Sequence, residues 1–259
     1  MTGPRNIIGI GGLGGSGTRL LAQFLQEQGL NMPTPRNESD DCLHFTRLFK
    51  WPDLLGVPRE IQIRWNLFNR LITGRSLGLA RFKAVKLFTQ QPFEPISRKE
   101  SVALLKSRTT VEAPVLFKEP NLHLFAKDLL ELDPGLKFIY LMRDGLKMAY
   151  NSNQQQLNNF GDAVLADAPP TEDLVLRALQ FWDRSNERAA ELVGRYPDRA
   201  MMVRYEDLIQ DPEQTIGAIC SFLELPYRSI TTDIRQARTK IPAEVKNEHY
   251  QVILDRWGY

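Results

Sequence analysis

Residues 9–18 read GIGGLGGSGT, entered from the apolar run NII and followed by RLLAQFLQEQGL. So many glycines beside a helical stretch cost chain entropy and helix propensity, a cost offset where the backbone must come close to a ligand. At a helix start that ligand is an anion, because free N–H groups and the helix dipole both favour negative charge there. Three kinds of phosphate site fit such a turn. Gly9, Gly11 and Gly14 satisfy G-x-G-x-x-G, but a dinucleotide site also needs a strand ending in an acid about 20 residues on, and that stretch is NMPTPRN. Gly12 and Gly17 have Walker spacing, yet Thr18 and Arg19 follow where a nucleoside triphosphatase needs Lys and then Ser or Thr for phosphate and Mg²⁺. The third kind keeps the backbone cradle without the triphosphate: Ser16 and Thr18 add hydroxyl donors, Arg19 adds a fixed charge, and a 5'-phosphosulfate group fits.

Outward from this turn, apolar strand-length runs at residues 6–11, 115–118, 137–142 and 200–205 alternate with helical spacing at 17–28, 122–131, 146–156, 171–196 and 212–223. Continuously apolar runs suit strands buried on both faces, so the pattern predicts a three-layer α/β sandwich around a central parallel sheet. Thr171 ahead of two acids predicts a helix cap, and Asp211 ahead of Pro212 predicts another. Residues from about 31 to 113, broken by Pro33, Pro35, Pro52, Pro58, Pro92 and Pro95, read as a mainly helical insertion above the carboxyl ends of the strands. With no linker and no repeat, residues 1–259 read as one domain carrying that insertion.

The formal charge is only +2, but residues 59–108 hold 11 Lys and Arg against Glu60, Glu94 and Glu100. That stretch is either a solvated helical face or a surface for an anionic substrate or lipid headgroups. Its cations alternate with Leu, Ile, Phe and Trp in IRWNLFNRLITGRSLGLARFK at residues 63–83, which predicts packing and not nucleic-acid binding. Cys42 and Cys220 lie far apart without metal spacing, so no zinc site or disulfide framework is expected. No run is long and apolar enough to span a bilayer, which leaves a cytoplasmic chain as the expectation, with peripheral membrane contact open.

Two further segments settle the choice among phosphate sites. KFIYLMRDGLKMAYNSNQ at residues 137–154 puts Arg143 where a buried strand meets a helix, placed to clamp a phosphate or to pair with Asp144. GGSGTRLLAQFL, YLMRDGLKMAYNSN and MMVRYEDLIQDPEQTIGAICSFLELPY, in this order, resemble the 5'-phosphosulfate loop, the 3'-phosphate motif and the late strand-to-helix segment of the PAPS-dependent sulfotransferases. The resemblance covers roughly the first thirty residues and much of 115–227. It implies a P-loop-like fold, 3'-phosphoadenosine 5'-phosphosulfate (PAPS) as donor, 3',5'-ADP as product and no metal. Gly14, Gly15, Ser16, Gly17, Thr18 and Arg19 would then face the 5' side, Arg143 with Asn151 or Ser152 the 3'-phosphate, and Tyr205 the adenosine. Two positions depart from the family. Gly15 stands where many members have Lys or Arg, and Asn151 where Ser is usual.

The resemblance also implies transfer to a hydroxyl or amine, with a carbohydrate, lipid-linked or small-molecule acceptor. Glu38, in PRNESDDCLHF after the first helix, is the first candidate base, with Asp40 and Asp41 as rivals. In LFKEPNLHLF at residues 116–125, Lys118 would stabilise sulfuryl charge, Glu119 would orient it, and His123 is the second candidate base. The alternative reading is a P-loop nucleotide-binding or kinase-like protein without sulfotransferase activity.

Overall fold

A computed structural model describes residues 6–107, 114–232, 234 and 247–259. Four parallel strands, β1 (Ile7–Gly12), β2 (Val115–Lys118), β3 (Leu136–Met142) and β4 (Ala200–Arg204), lie in the order β2-β1-β3-β4. They coincide with the four apolar runs to within a residue, except that Tyr205 leaves the sheet and opens a helix. The order places β1 centrally, so its carboxyl end is flanked by those of β2 and β3.

Successive strand residues face opposite sides, which splits the apolar interior in two. Ile8, Ile10, Leu116, Ile139 and Leu141 face α1 (Thr18–Glu27), α10 (Tyr205–Gln210) and α11 (Pro212–Leu223). Ile7, Phe117, Phe138 and Tyr140 face the other helical layer. That layer starts with α2 (Leu43–Phe49), α3 (Pro58–Ile72), α4 (Ala80–Thr89) and α5 (Arg98–Lys106). It continues with α6 (Leu122–Leu132), α7 (Gly145–Ala149), α8 (Gln155–Val164), α9 (Leu174–Arg195) and α12 (Glu248–Asp255).

The expected insertion is not confined to the rim above the strands. Phe45 packs tilted and Phe68 edge-on against Phe117 of β2, with ring centres 5.3 and 4.9 Å away, so α2 and α3 complete the sheet's own core. The rest of its span, residues 108–113, lies outside the described residues.

Two local expectations change. The single helix expected over 146–156 is two, because Gln154 turns its side chain onto the carbonyls of Met148 and Asn151 and closes α7. The cap of α9 is Asp173, whose carboxylate accepts from the amides of Val175 and Leu176, while Thr171 accepts from the amide of Asp173. Asp211 caps α11 with Pro212 in the first turn, as the sequence predicts.

Candidate active site

The glycine turn leaves β1 at Gly12 and enters α1 at Thr18 through Gly15 (φ +94°) and Gly17 (φ +101°). Both are left-handed conformations that favour glycine. Space requires glycine as well, since a Cβ on Gly15 would run into the Asn151 amide and one on Gly17 into the Tyr205 ring. Gly17, as the cap of α1, offers no side chain, so the first-turn amides have no side-chain cap. Within the turn, the Ser16 hydroxyl is buried and meets no partner among the described residues. A buried hydroxyl left so costs about 1–3 kcal/mol, which an anion's oxygen would recover. Gln156 of α8 braces the turn: its Oε1 accepts from the Gly14 amide at 2.6 Å and its Nε2 donates to the Gly12 carbonyl at 3.2 Å.

Arg143 follows β3 directly, where the sheet order brings it beside this turn. Its Nη1 donates to the Gly15 carbonyl at 2.7 Å, and its guanidinium lies 4.4 Å from the centre of the Tyr205 ring. Trp182 Nε1 donates to the Arg143 carbonyl at 2.8 Å and fixes the backbone there. Glu206 accepts from the Asp144 amide at 3.1 Å and from the Tyr259 hydroxyl at 2.7 Å, so the chain's last residue is tied to the Arg143 corner. Gly15, Ser16, Gly17, Arg143, Asn151 and Tyr205 therefore form one cluster. The departures at Gly15 and Asn151 occupy a single place, the asparagine filling the space where a side chain at residue 15 would begin. Ser152 is exposed in the turn between α7 and α8.

A second cluster forms at the end of β2. Lys118 is buried, donates from Nζ to the Ser39 carbonyl at 2.7 Å and forms an ion pair with Asp41. The loop carrying Asp41 is wound on Asn37, whose Oδ1 accepts from the amides of Ser39 and Asp41 at 2.9 and 2.8 Å. Glu38 is exposed at its crest, and its carbonyl accepts from Arg19 Nη1 at 3.3 Å. Glu119 does not orient Lys118. Its Oε1 accepts from Asn121 Nδ2 at 2.8 Å, while Oε2 is buried without a partner among the described residues. Burial, and then the Asp41 charge, push the Glu119 carboxyl up to about 8. Beside this second cluster lies a cavity of about 110 Å³ whose lining includes Asp41, Glu119 and Asn121, with Gly14 and Gln156 reaching it from the glycine turn and its brace.

His123 lies in the first turn of α6, against the backbone of Gly11 and Gly12 where β1 enters the glycine turn, with its ring turned into the core. Its Nδ1 lies 2.8 Å from the Pro120 carbonyl, and its ring packs edge-on to Tyr140 at 5.8 Å. Burial lowers its pKa to about 4, so the ring is neutral near pH 7. Among the described residues no three His, Cys, Asp or Glu side chains converge as a metal site.

A glycine turn meeting an arginine after the third strand, with a lysine at the end of the second, is joined by a match over most of the chain: the profile of the sulfotransferase family covers residues 8–229. The chain belongs to the sulfotransferase family. One relative, the omega-hydroxy-beta-dihydromenaquinone-9 sulfotransferase of Mycobacterium tuberculosis, is 28% identical over 162 residues, covering 56% of this chain and 41% of that protein. The protein-tyrosine sulfotransferase of Drosophila melanogaster is 26% identical over 113 residues, 42% of this chain and 21% of its own. The chain thus spans less than half the length of these relatives. In fold it resembles the sulfotransferase domain of the curacin biosynthetic pathway, with a TM-score of 0.53 at 18% identity over 99% of this chain and 98% of that one. The sulfotransferase domain of the Synechococcus PCC 7002 olefin synthase gives 0.51 at 19%, over 100% and 96%.

Sequence reasoning missed Asp41 as the partner of Lys118, and Gln156, Trp182 and Tyr259 as braces. Asp41 was within reach, since it lies in the NESDD run that already held the candidate base. The others act across 39 to 144 residues of chain, and no local pattern marks them.

Proposed function

We propose that this sulfotransferase-family protein moves a sulfuryl group from PAPS to a hydroxyl-bearing acceptor seated at the cavity lined by Gly14, Asp41 and Glu119. The observation that carries this reading is the uncapped start of α1 beside the unpartnered Ser16 hydroxyl, with Arg143 bonded to the same turn. These residues fit an anionic nucleotide: the amides and hydroxyls of Ser16 and Thr18 would hold its 5' side. Arg143 with Asn151 or Ser152 would hold the 3'-phosphate, and Tyr205 would flank the adenosine. When bound, PAPS supplies the sulfuryl group and leaves as 3',5'-ADP.

Lys118 would set its charge against the sulfuryl and bridging oxygens, where developing negative charge is greatest. The acceptor's proton needs a carboxylate at hydrogen-bond reach. Asp41 fits better than Glu38, because it lines the cavity and is oriented by its bond to Lys118, whereas Glu38 sits at the exposed crest. Glu119, protonated up to a pH of about 8, would present a neutral donor at the cavity. The two relatives are named for acting on a hydroxylated menaquinone derivative and on protein tyrosine, both of which offer a hydroxyl.

Titration calorimetry with 3',5'-ADP and 5'-AMP tests the donor. We expect tighter binding of 3',5'-ADP, retained in EDTA; equal affinities, or binding that requires Mg²⁺, would return the protein to the P-loop nucleotide-binding alternative. Labelled sulfate transfer from PAPS to sugars, long-chain alcohols and tyrosyl peptides then identifies the acceptor.

A further inference from the structure

A second hollow lies in the insertion, away from the cavity lined by Asp41 and Glu119. A groove of about 980 Å³ runs between α4 and α5, with Leu77, Val85 and Leu105 among its lining. Its apolar character continues onto the surface, where Leu79 is 83% exposed, Phe82 55% and Val102 37%. Helix α5 buries only Ser101 fully; Leu104 and Leu105 pack partly buried against the core, and Val102 stays exposed. A nine-residue helix gains most of its stability from packing an apolar face, and this one leaves part of that face toward the groove.

Charge narrows the occupant. Arg81, Lys86, Arg98 and Lys106 line the same groove, and no acid is among its described lining residues. The three acids of this stretch are engaged elsewhere. Glu60 pairs with Arg64 and Lys83, Glu94 with Lys50 and Arg47, and Glu100 closes the capping box with Ser97. Exposed Leu and Phe bordered by Arg and Lys on short helices is the composition that seats in the interface of an anionic bilayer, the apolar groups entering the acyl boundary and the cations meeting phosphates. No helix among the described residues is long and apolar enough to cross a membrane, so contact of this kind would lie along the surface.

We infer that the α4–α5 groove docks the protein on an anionic phospholipid surface, with Leu79 and Phe82 inserted and the four cations on the headgroups. This inference does not depend on the sulfuryl-transfer reading, and its test contains no donor or acceptor.

The test is co-sedimentation of the full chain with vesicles of pure phosphatidylcholine, or of phosphatidylcholine with about one third phosphatidylglycerol. Binding is expected only to the second, and to weaken as ionic strength rises from about 0.05 to about 0.5 M. Arg81→Gln with Lys86→Gln should lower binding by roughly fivefold per charge. Leu79→Ser with Phe82→Ser, both on exposed side chains, should abolish what remains at high salt. Lys127→Gln with Arg195→Gln removes the same net charge from exposed positions on α6 and α9 and should leave binding nearly unchanged. Equal loss in the two charge pairs would reduce the effect to net charge and overturn the groove's role. No vesicle binding, together with a concentration-dependent dimer that Leu79→Ser and Phe82→Ser dissolve, would make the groove an interface between copies and overturn it likewise.

Discussion

The proposed phosphate side of the site and its proposed acceptor side differ in how they are held. Residues 12–18 are fixed by backbone: left-handed glycines, a braced turn, an arginine on a turn carbonyl and an asparagine against the missing Cβ of Gly15. The acceptor side is held by side chains bonded to one another, with the Lys118 ammonium paired to the Asp41 carboxylate. A backbone cradle binds the part of a nucleotide that does not vary. Side-chain contacts can be exchanged without disturbing the sheet, which is where acceptor choice is free to change.

If this contrast holds, substitutions on the acceptor side should lower turnover and spare donor binding, while those on the phosphate side should do the reverse. The largest effect is expected at Asp41. Asp41→Asn keeps the shape but loses the proton acceptor, and should lower single-turnover sulfate transfer by about 10³-fold, with Glu38→Gln near the parent. Glu38→Gln inactive beside an active Asp41→Asn would move the base to the loop's crest. Lys118→Ala should follow, at about 10²- to 10³-fold in turnover, with 3',5'-ADP affinity nearly unchanged. A matching loss of nucleotide affinity would merge the two sides into one.

His123 sharpens the same division from the core beneath the glycine turn. A ring whose folded pKa is lowered to about 4 favours the native state while neutral, and that stability is lost as pH falls from 6.5 toward 4. On the order of 3 kcal/mol should disappear from denaturant unfolding across that window, and His123→Asn should flatten the pH dependence. Unchanged slopes with abolished transfer would return His123 to the list of bases. On the phosphate side, Arg143→Ala should weaken 3',5'-ADP by roughly 30-fold, the range of a charge-assisted hydrogen bond, and leave 5'-AMP little affected.

The same contrast explains what could be read from sequence. The sheet was legible because each strand is a continuous apolar run, and the glycine turn and Arg143 because they sit at strand ends within a few residues of their helices. The join between Arg143 and Gly15 was not, since it crosses 128 residues. Nor was the split of α7 from α8, which rests on one glutamine folding back on the preceding turn. Which carboxylate of NESDD turns inward was not legible either, because only the loop's winding on Asn37 decides it.

The smallest effect tests whether the phosphate side is as rigid as its geometry implies. Gly15→Ala meets two costs, a left-handed backbone that a Cβ disfavours by about 1–2 kcal/mol and a collision with the Asn151 amide. Asn151→Ser shortens the side chain and relieves only the collision. In urea unfolding the double variant should therefore be about 1 kcal/mol more stable than the sum of the single changes, because neighbours in contact are not additive. The backbone share of the cost should remain. Strict additivity would mean that Asn151 swings aside freely, leaving the nucleotide turn no stiffer than the acceptor loop, and the contrast between the two sides would lose its physical basis.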